Sequence, residues 1–279
     1  MEHVARLLPD NNPGPVRVIA VTSGKGGVGK TNVSINLATA LANRGQTVML
    51  MDADLGLANV DVVLGLHPEY NLSHVVSGEK TLQEIIVEGP SGVLVVPASS
   101  GVQKMAELNS AENAGLIRAF SDLTGRIDTL VIDTAAGIAN SVISFCRSAT
   151  DIVVVVCDEP ASITDAYALI KVLNRDHKVR RFKILANMVQ SSAQGSELYT
   201  KLFKVANRFL DINLEYIGMI PQDEYLRKAV QKQWTVVNAY PRSRSASAFM
   251  KLAASVVQWE RVDSKGNLEF FFERLVTNS

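Results

Sequence analysis

The sequence predicts an α/β fold, a single mostly parallel central sheet with helices on both faces. Three observations carry this reading. Short, near-continuous apolar runs rich in β-branched residues recur along the chain, as in strands buried on both faces. Helical patterns alternate with them, as layered α/β architectures require. A glycine-rich loop joins the first run to the first helical pattern.

The elements follow in order. Residues 1–16, with Asn11-Asn12-Pro13-Gly14-Pro15, read as an arm before the first strand. Strands are predicted at 18–21, 47–51, 93–96, 129–132, 152–156, 182–186 and 214–217. Helices are predicted at 32–44, stopped by Gly45, and at 164–175 and 196–210. In the last of these, Leu198, Leu202, Val205 and Phe209 are expected to form the core-facing row. Tyr199, Phe203 and Leu210 would then lie on flanking faces, beside Lys171, Lys201 and Lys204, as a surface for protein partners. No repeat or linker interrupts residues 17–262, which read as one domain. Residues 263–279 form a separate amphipathic segment: on a helix, Leu268, Phe271, Phe272, Leu275 and Val276 make one apolar stripe.

Composition excludes several classes. With 28 basic and 28 acidic residues the formal charge is zero, so overall charge favours neither nucleic acid nor an acidic membrane. Cys146 and Cys157 form no C-x-x-C pair and no disulfide framework. No signal peptide or membrane-length apolar run is present, so a soluble cytoplasmic protein is expected.

Gly24-Lys25-Gly26-Gly27-Val28-Gly29-Lys30-Thr31 fits the phosphate-loop pattern G-x-x-x-x-G-K-[ST], with strand before and helix after. Backbone N–H groups and a helix N-terminus would surround an anion. Glycines let the backbone approach it closely. Lys30 would supply charge to the β- and γ-phosphates, and the Thr31 hydroxyl a magnesium ligand. Asp52 and Asp54 follow the second strand, where ligands of open α/β sheets bind, although one of them could instead cap the following helix. Asp133 ends the apolar run 129–132, as an acid holding a magnesium-bound water would.

The extra lysine resembles the deviant Walker A motif, KGGxGKT, of the MinD/ParA group of P-loop ATPases. That resemblance implies ATP and Mg2+ as ligands, with Lys25 reaching the phosphates of a second subunit across a nucleotide-sandwich homodimer. The stretch Asp52-Ala-Asp54-Leu-Gly-Leu-Ala-Asn59 is similar to the family's D-x-D-x-x-x-x-N, in which Asp54 would orient the attacking water and Asp52 hold magnesium through its water shell. Asp133-Thr-Ala-Ala-Gly137 is similar to D-[ST]-x-[AP]-G. By likeness, Asn32 joins the phosphate loop, Asn187 bonds the adenine, and the loop of Pro221 and Asp223 closes over the base.

Within that group the chain resembles the FleN/FlhG (YlxH) branch of flagellar-number regulators. The segments carrying the likeness are residues 31–38, 50–65, 158–171 and 268–276, chiefly Asp158-Glu-Pro-Ala-Ser-Ile-Thr-Asp-Ala-Tyr167. The resemblance implies a weak ATPase acting as a switch, with an NtrC-type flagellar transcription activator, C-ring proteins and the GTPase FlhF as partners. It also implies ATP-dependent peripheral contact with the inner membrane through the terminal segment. Many members begin with D-Q-A-x-x-L-R; here Glu2-His-Val-Ala-Arg-Leu-Leu8 keeps that pattern loosely. No sequence-specific nucleic-acid binding is expected.

Other classes share the loop. A DNA-partitioning ATPase needs a basic stripe, for which Arg242, Arg244 and Lys251 are a thin candidate and residues 178–183 a denser one. An iron–sulfur relative needs thiolates near Asp133, and 133–137 holds none. An ATP-dependent metabolic ligase remains compatible with the fold.

Overall fold

The computed structural model describes residues 15–54, 59–97, 119–120, 123 and 126–260. Almost all of the N-terminal arm and the whole terminal segment 263–279 lie outside the described residues. So do positions 55–58 between Asp54 and Asn59.

Eight strands form one sheet: β1 (Arg17–Ser23), β2 (Val48–Ala53), β3 (Val87–Glu88), β4 (Leu94–Val96), β5 (Thr129–Ala136), β6 (Asp151–Val156), β7 (Arg181–Val189) and β8 (Asn213–Pro221). Their order is β3-β4-β2-β5-β1-β6-β7-β8. Every pairing is parallel except the short edge pair β3–β4. All seven predicted strands are present. The antiparallel β3 escapes the sequence because two residues carry no periodicity.

The helices are α1 (Lys30–Ala42), α2 (Val60–Leu64), α3 (Leu72–Val76), α4 (Leu82–Ile85), α5 (Asn140–Ser148), α6 (Pro160–Arg175), α7 (Ser192–Phe209), α8 (Glu224–Gln231), α9 (Val236–Ala239) and α10 (Arg244–Gln258). None among the described residues is long and apolar enough to cross a membrane.

Alternation along β1 divides the core. Val18 and Ala20 face one side, where they join Phe145 of α5, Leu169 and Ile170 of α6, and Leu198 and Leu202 of α7. Ile19 and Val21 face the other, with Val33 and Leu37 of α1 and Phe249 and Val256 of α10. β1 is covered on both faces and buried throughout, which is why its central positions Val18–Val21 are all apolar. Burying side chains of this size stabilises by about 1.5–3 kcal/mol each. At the amino ends of the strands, Arg17 donates to Asp151 at 2.6 Å and to the Trp259 carbonyl at 2.7 Å, anchoring the end of α10 beneath the sheet.

Helix α7 corrects one expectation. Its core row is Gly195, Leu198, Leu202 and Ala206, while Val205 and Phe209 are 43% and 55% exposed. Leu210 is buried, and the half-buried Tyr199 donates its hydroxyl to the Leu214 carbonyl at 2.7 Å. The reason is close packing. A Cβ on Gly195 would meet the Tyr216 hydroxyl at 2.5 Å, so Gly195 and Ala206 face the sheet beside Leu198 and Leu202, in place of Val205 and Phe209.

Candidate nucleotide-binding site

Most of the side chains singled out from the sequence gather where the strands end. The loop after β1 turns into α1 through Gly29, which sits at φ 87° as the N-cap and has no side chain to offer the first turn. The leading N–H groups of α1 are therefore left to an external acceptor, the arrangement that suits phosphate. A Cβ on Gly26 or Gly27 would meet nothing within 4 Å, so the loop's outer surface is an open cradle. Gly24 has a different reason to be glycine. A Cβ there would lie 2.1 Å from the Asp165 carbonyl, so this position lets α6 pack against the loop.

Lys30 is buried at the head of α1, and desolvation lowers its pKa against the opposing pull of Asp133 and Asp54. Asp133 lies opposite Asp52 on adjacent parallel strands. Both carboxyls are almost wholly buried, and desolvation raises them, Asp133 to about 7 and Asp52 to about 6. Ser34 donates its hydroxyl to Asp133 at 2.9 Å, and the Thr31 hydroxyl, one turn earlier on α1, also pulls the Asp133 pKa down. Asp52 accepts from the backbone N–H groups of Asp54 at 3.1 Å, Asn59 at 3.0 Å and Val60 at 3.1 Å. It thus caps the start of α2 and ties Asp54 to Asn59, the structural role the sequence allowed for one of the two aspartates. Asp54 itself is partly exposed.

Lys25 does not point into the cradle. Its ammonium donates to Glu159 Oε2 at 2.8 Å, at the head of α6, and its side chain is 40% exposed. That hydrogen bond is the leading cause of its raised pKa. Glu159 was not singled out from the sequence; its only signal was membership of the segment 158–171.

Asn187, at the end of β7, is brought to the loop: its Nδ2 donates to the Val28 carbonyl at 2.7 Å. Its Oδ1 is buried without a hydrogen-bond partner. An orphaned acceptor costs about 1–3 kcal/mol, so this atom fits a ligand that brings a donor, as the adenine amino group does. Met188 beside it holds φ 57° and is 45% exposed, with its methyl next to Gly29. Pro221 ends β8, buried. Asp223 is engaged within the protein: it accepts from Tyr225 N at 3.0 Å, Ser245 N at 2.9 Å and Ser245 Oγ at 2.8 Å. These bonds hold the loop after β8 against α10, so Asp223 shapes that loop from within. Asn32 stands in the first turn of α1, partly exposed, its Oδ1 buried and unpaired.

The donor set suits magnesium with a nucleotide. No group of three or more His, Cys, Asp or Glu side chains among the described residues forms a cation cage. One hydroxyl and two strand-end carboxylates match an ion that keeps waters and takes phosphate oxygens. Cys146 and Cys157 are buried, with thiols pushed up to about 12 and about 11, and offer no thiolate pair.

Comparison with known proteins places the chain in a family. The ParA family described as NUBPL iron-transfer P-loop NTPases matches residues 15–257. The chain is 58% identical over 263 residues to the antiactivator FleN of Pseudomonas aeruginosa, covering 94% of each. It is 35% identical over 271 residues to the flagellum site-determining protein YlxH of Helicobacter pylori, covering 95% of this chain and 92% of that one. Among solved structures it resembles the septum site-determining protein MinD of Pyrococcus horikoshii complexed with Mg-ADP. That likeness has a TM-score of 0.68 and 26% identity, covering 86% of this chain and 96% of that one.

Proposed function

We propose that this chain, which belongs to the ParA family of P-loop NTPases, is an ATP-hydrolysing switch that regulates flagellar number and placement by dimerising when ATP is bound. The flagellar reading rests on its likeness to FleN and YlxH across nearly the whole chain. As their likeness suggests, its clients are a flagellar transcription activator, C-ring proteins and FlhF.

In this reading the N–H groups of the loop and α1 bind the phosphates, with the Lys30 charge beside them. Thr31, Asp52 and Asp133 would hold Mg2+, which neutralises phosphate charge when bound. Asn187 accepts from the adenine amino group, and Asp54 orients the water that attacks the γ-phosphate. The observation that carries dimerisation is the position of Lys25. Its ammonium is held at the rim by Glu159, half-exposed, and so is not spent on its own subunit's phosphates. Two subunits meeting about a two-fold axis could exchange these lysines. Hydrolysis weakens the bridge and the dimer opens, so partners that prefer one state are controlled. Segment 263–279 would attach the ATP-bound dimer to the inner membrane, two stripes acting together. ATP-stimulated sedimentation with liposomes, lost in Phe271→Glu/Leu275→Glu, tests that attachment.

The experiment for the switch is light scattering after size exclusion with ADP, with ATP and without nucleotide. Asp54→Ala is expected to accumulate as an ATP-bound dimer, and Lys30→Ala to remain a monomer that binds no nucleotide. An Asp54→Ala protein that stays monomeric with ATP and Mg2+ would overturn this division of roles.

A further inference from the structure

The edge of the sheet at β8 presents a feature that the nucleotide reading touches only at Pro221. Among the described residues β8 is last in the strand order and pairs only with β7, so its outer row of N–H and C=O groups has no neighbouring strand, although the Leu214 carbonyl accepts from Tyr199. The ladder slips there: Ile184 pairs with Tyr216 and Leu185 with Gly218, so Ile217 is an extra residue. Gly218 follows at φ 118°, and a Cβ on it would meet nothing within 4 Å. A cavity of about 590 Å³ opens beside these residues, bounded by the first turns of α10.

Its charge is one-sided. Arg242, Arg244 and Lys251 line it, and no carboxylate among the described residues does, the nearby Asp223 being held by Ser245 and within the field of Arg244. None of the three makes a salt bridge among the described residues, and Arg244 donates only to the Gln190 carbonyl, at 3.1 Å.

We propose that this slot takes up an extended acidic peptide from a partner protein as a strand added to the outer edge of β8. Backbone groups along an open edge give such a segment its affinity, and flanking pockets give it specificity. Here the half-exposed Ile217, on the α10 side of the sheet, offers an apolar contact, and the three cations select carboxylates on the incoming chain. The same cations suit DNA phosphates less well, because a concave slot of this volume encloses a few residues of extended chain and no turn of duplex. This goes beyond the proposed switch, and it is read without nucleotide, so either can fail alone.

The test is fluorescence anisotropy on the full-length protein, with a fluorescein-labelled peptide of alternating valine and glutamate as the probe. Binding is expected for this peptide and not for its valine–lysine counterpart. Arg242→Glu/Lys251→Glu should weaken it by about tenfold or more. Neither side chain belongs to the proposed nucleotide site, so retained ATP binding reports an intact fold, with Arg242→Ala/Lys251→Ala as the milder variant. Methylating alternate backbone amides of the peptide should abolish binding, because strand addition uses those donors. Equal binding of the methylated peptide, or no effect of charge reversal, would overturn the proposal. So would a protein that binds duplex DNA through these residues while ignoring the peptide, or one whose β8 edge serves only to pair two copies of this chain.

Discussion

Lys25 donates to Glu159 across 2.8 Å, joining the phosphate loop to the head of α6 within one subunit, although 134 residues separate the two in sequence. The pair is solvent-exposed, so it adds little stability and can be broken at small cost. If Lys25 serves a second subunit, this contact competes with dimerisation. Glu159→Gln should therefore lower the ATP concentration at which dimers form, without changing the monomer's thermal stability. Light scattering across an ATP titration measures this. A dimerisation midpoint that is unchanged or raised would show that Glu159 does not restrain the lysine.

Asn187 bears on nucleotide choice. Its Nδ2 is already committed to Val28, which leaves the buried Oδ1 as an acceptor and disfavours a base that presents a carbonyl there. Asn187→Ala should weaken ATP binding by about tenfold and reduce discrimination against GTP, since a buried unmatched polar group is what rejects the wrong ligand. Competition of a fluorescent ATP analogue by ATP and by GTP separates the two effects. If only the ATP affinity falls and the ratio is kept, base selection lies elsewhere.

The paired carboxyls Asp52 and Asp133 make ligand-free stability depend on pH. Burial raises both above the ordinary value of 3.8, so each holds its proton more tightly folded than unfolded. Their contribution is whole below about 3.8 and is lost as pH rises through about 6 and about 7. Thermal melts without nucleotide should show Tm falling between pH 5 and pH 8, and Asp133→Asn should flatten that fall and raise Tm at pH 8. An equal slope in the variant would remove Asp133 from this account.

Helix α7 offers two apolar flanks, Phe203 at 36% exposure on one and Val205 with Phe209 on the other. Because these side chains are not core, Phe203→Asp and Phe209→Asp should keep the fold and the ATP-driven dimer. Loss of binding to the proposed clients, a flagellar activator or C-ring proteins, in pull-down assays would assign a flank to them. Normal binding by both variants would place the client surface off α7.

Much of the fold was legible because its signals are local. Strands buried on both faces must be apolar at nearly every position, so the central runs stand out from the helical patterns between them. The phosphate loop was legible for the same reason: strand, glycines, Lys30 and Thr31 are contiguous, and backbone geometry alone forms the cradle. The strand-end carboxylates Asp52, Asp54 and Asp133 could be named because parallel strands of an open sheet deliver their C-terminal ends to one rim.

Strand order was not legible, and everything that depends on it was decided by the tertiary structure. Val28 and Asn187 lie 159 residues apart and meet because β1, β6 and β7 are neighbours. Lys25 meets Glu159 only when α6 begins beside the loop. On α7 the sequence alone marks several apolar residues and cannot say which face turns inward. Close approach to Tyr216 at Gly195 and the small Ala206 set the inward row with Leu198 and Leu202, leaving Phe209 outside. Local pattern determines which elements form and which ends carry chemistry, while packing between distant segments decides which of those residues touch.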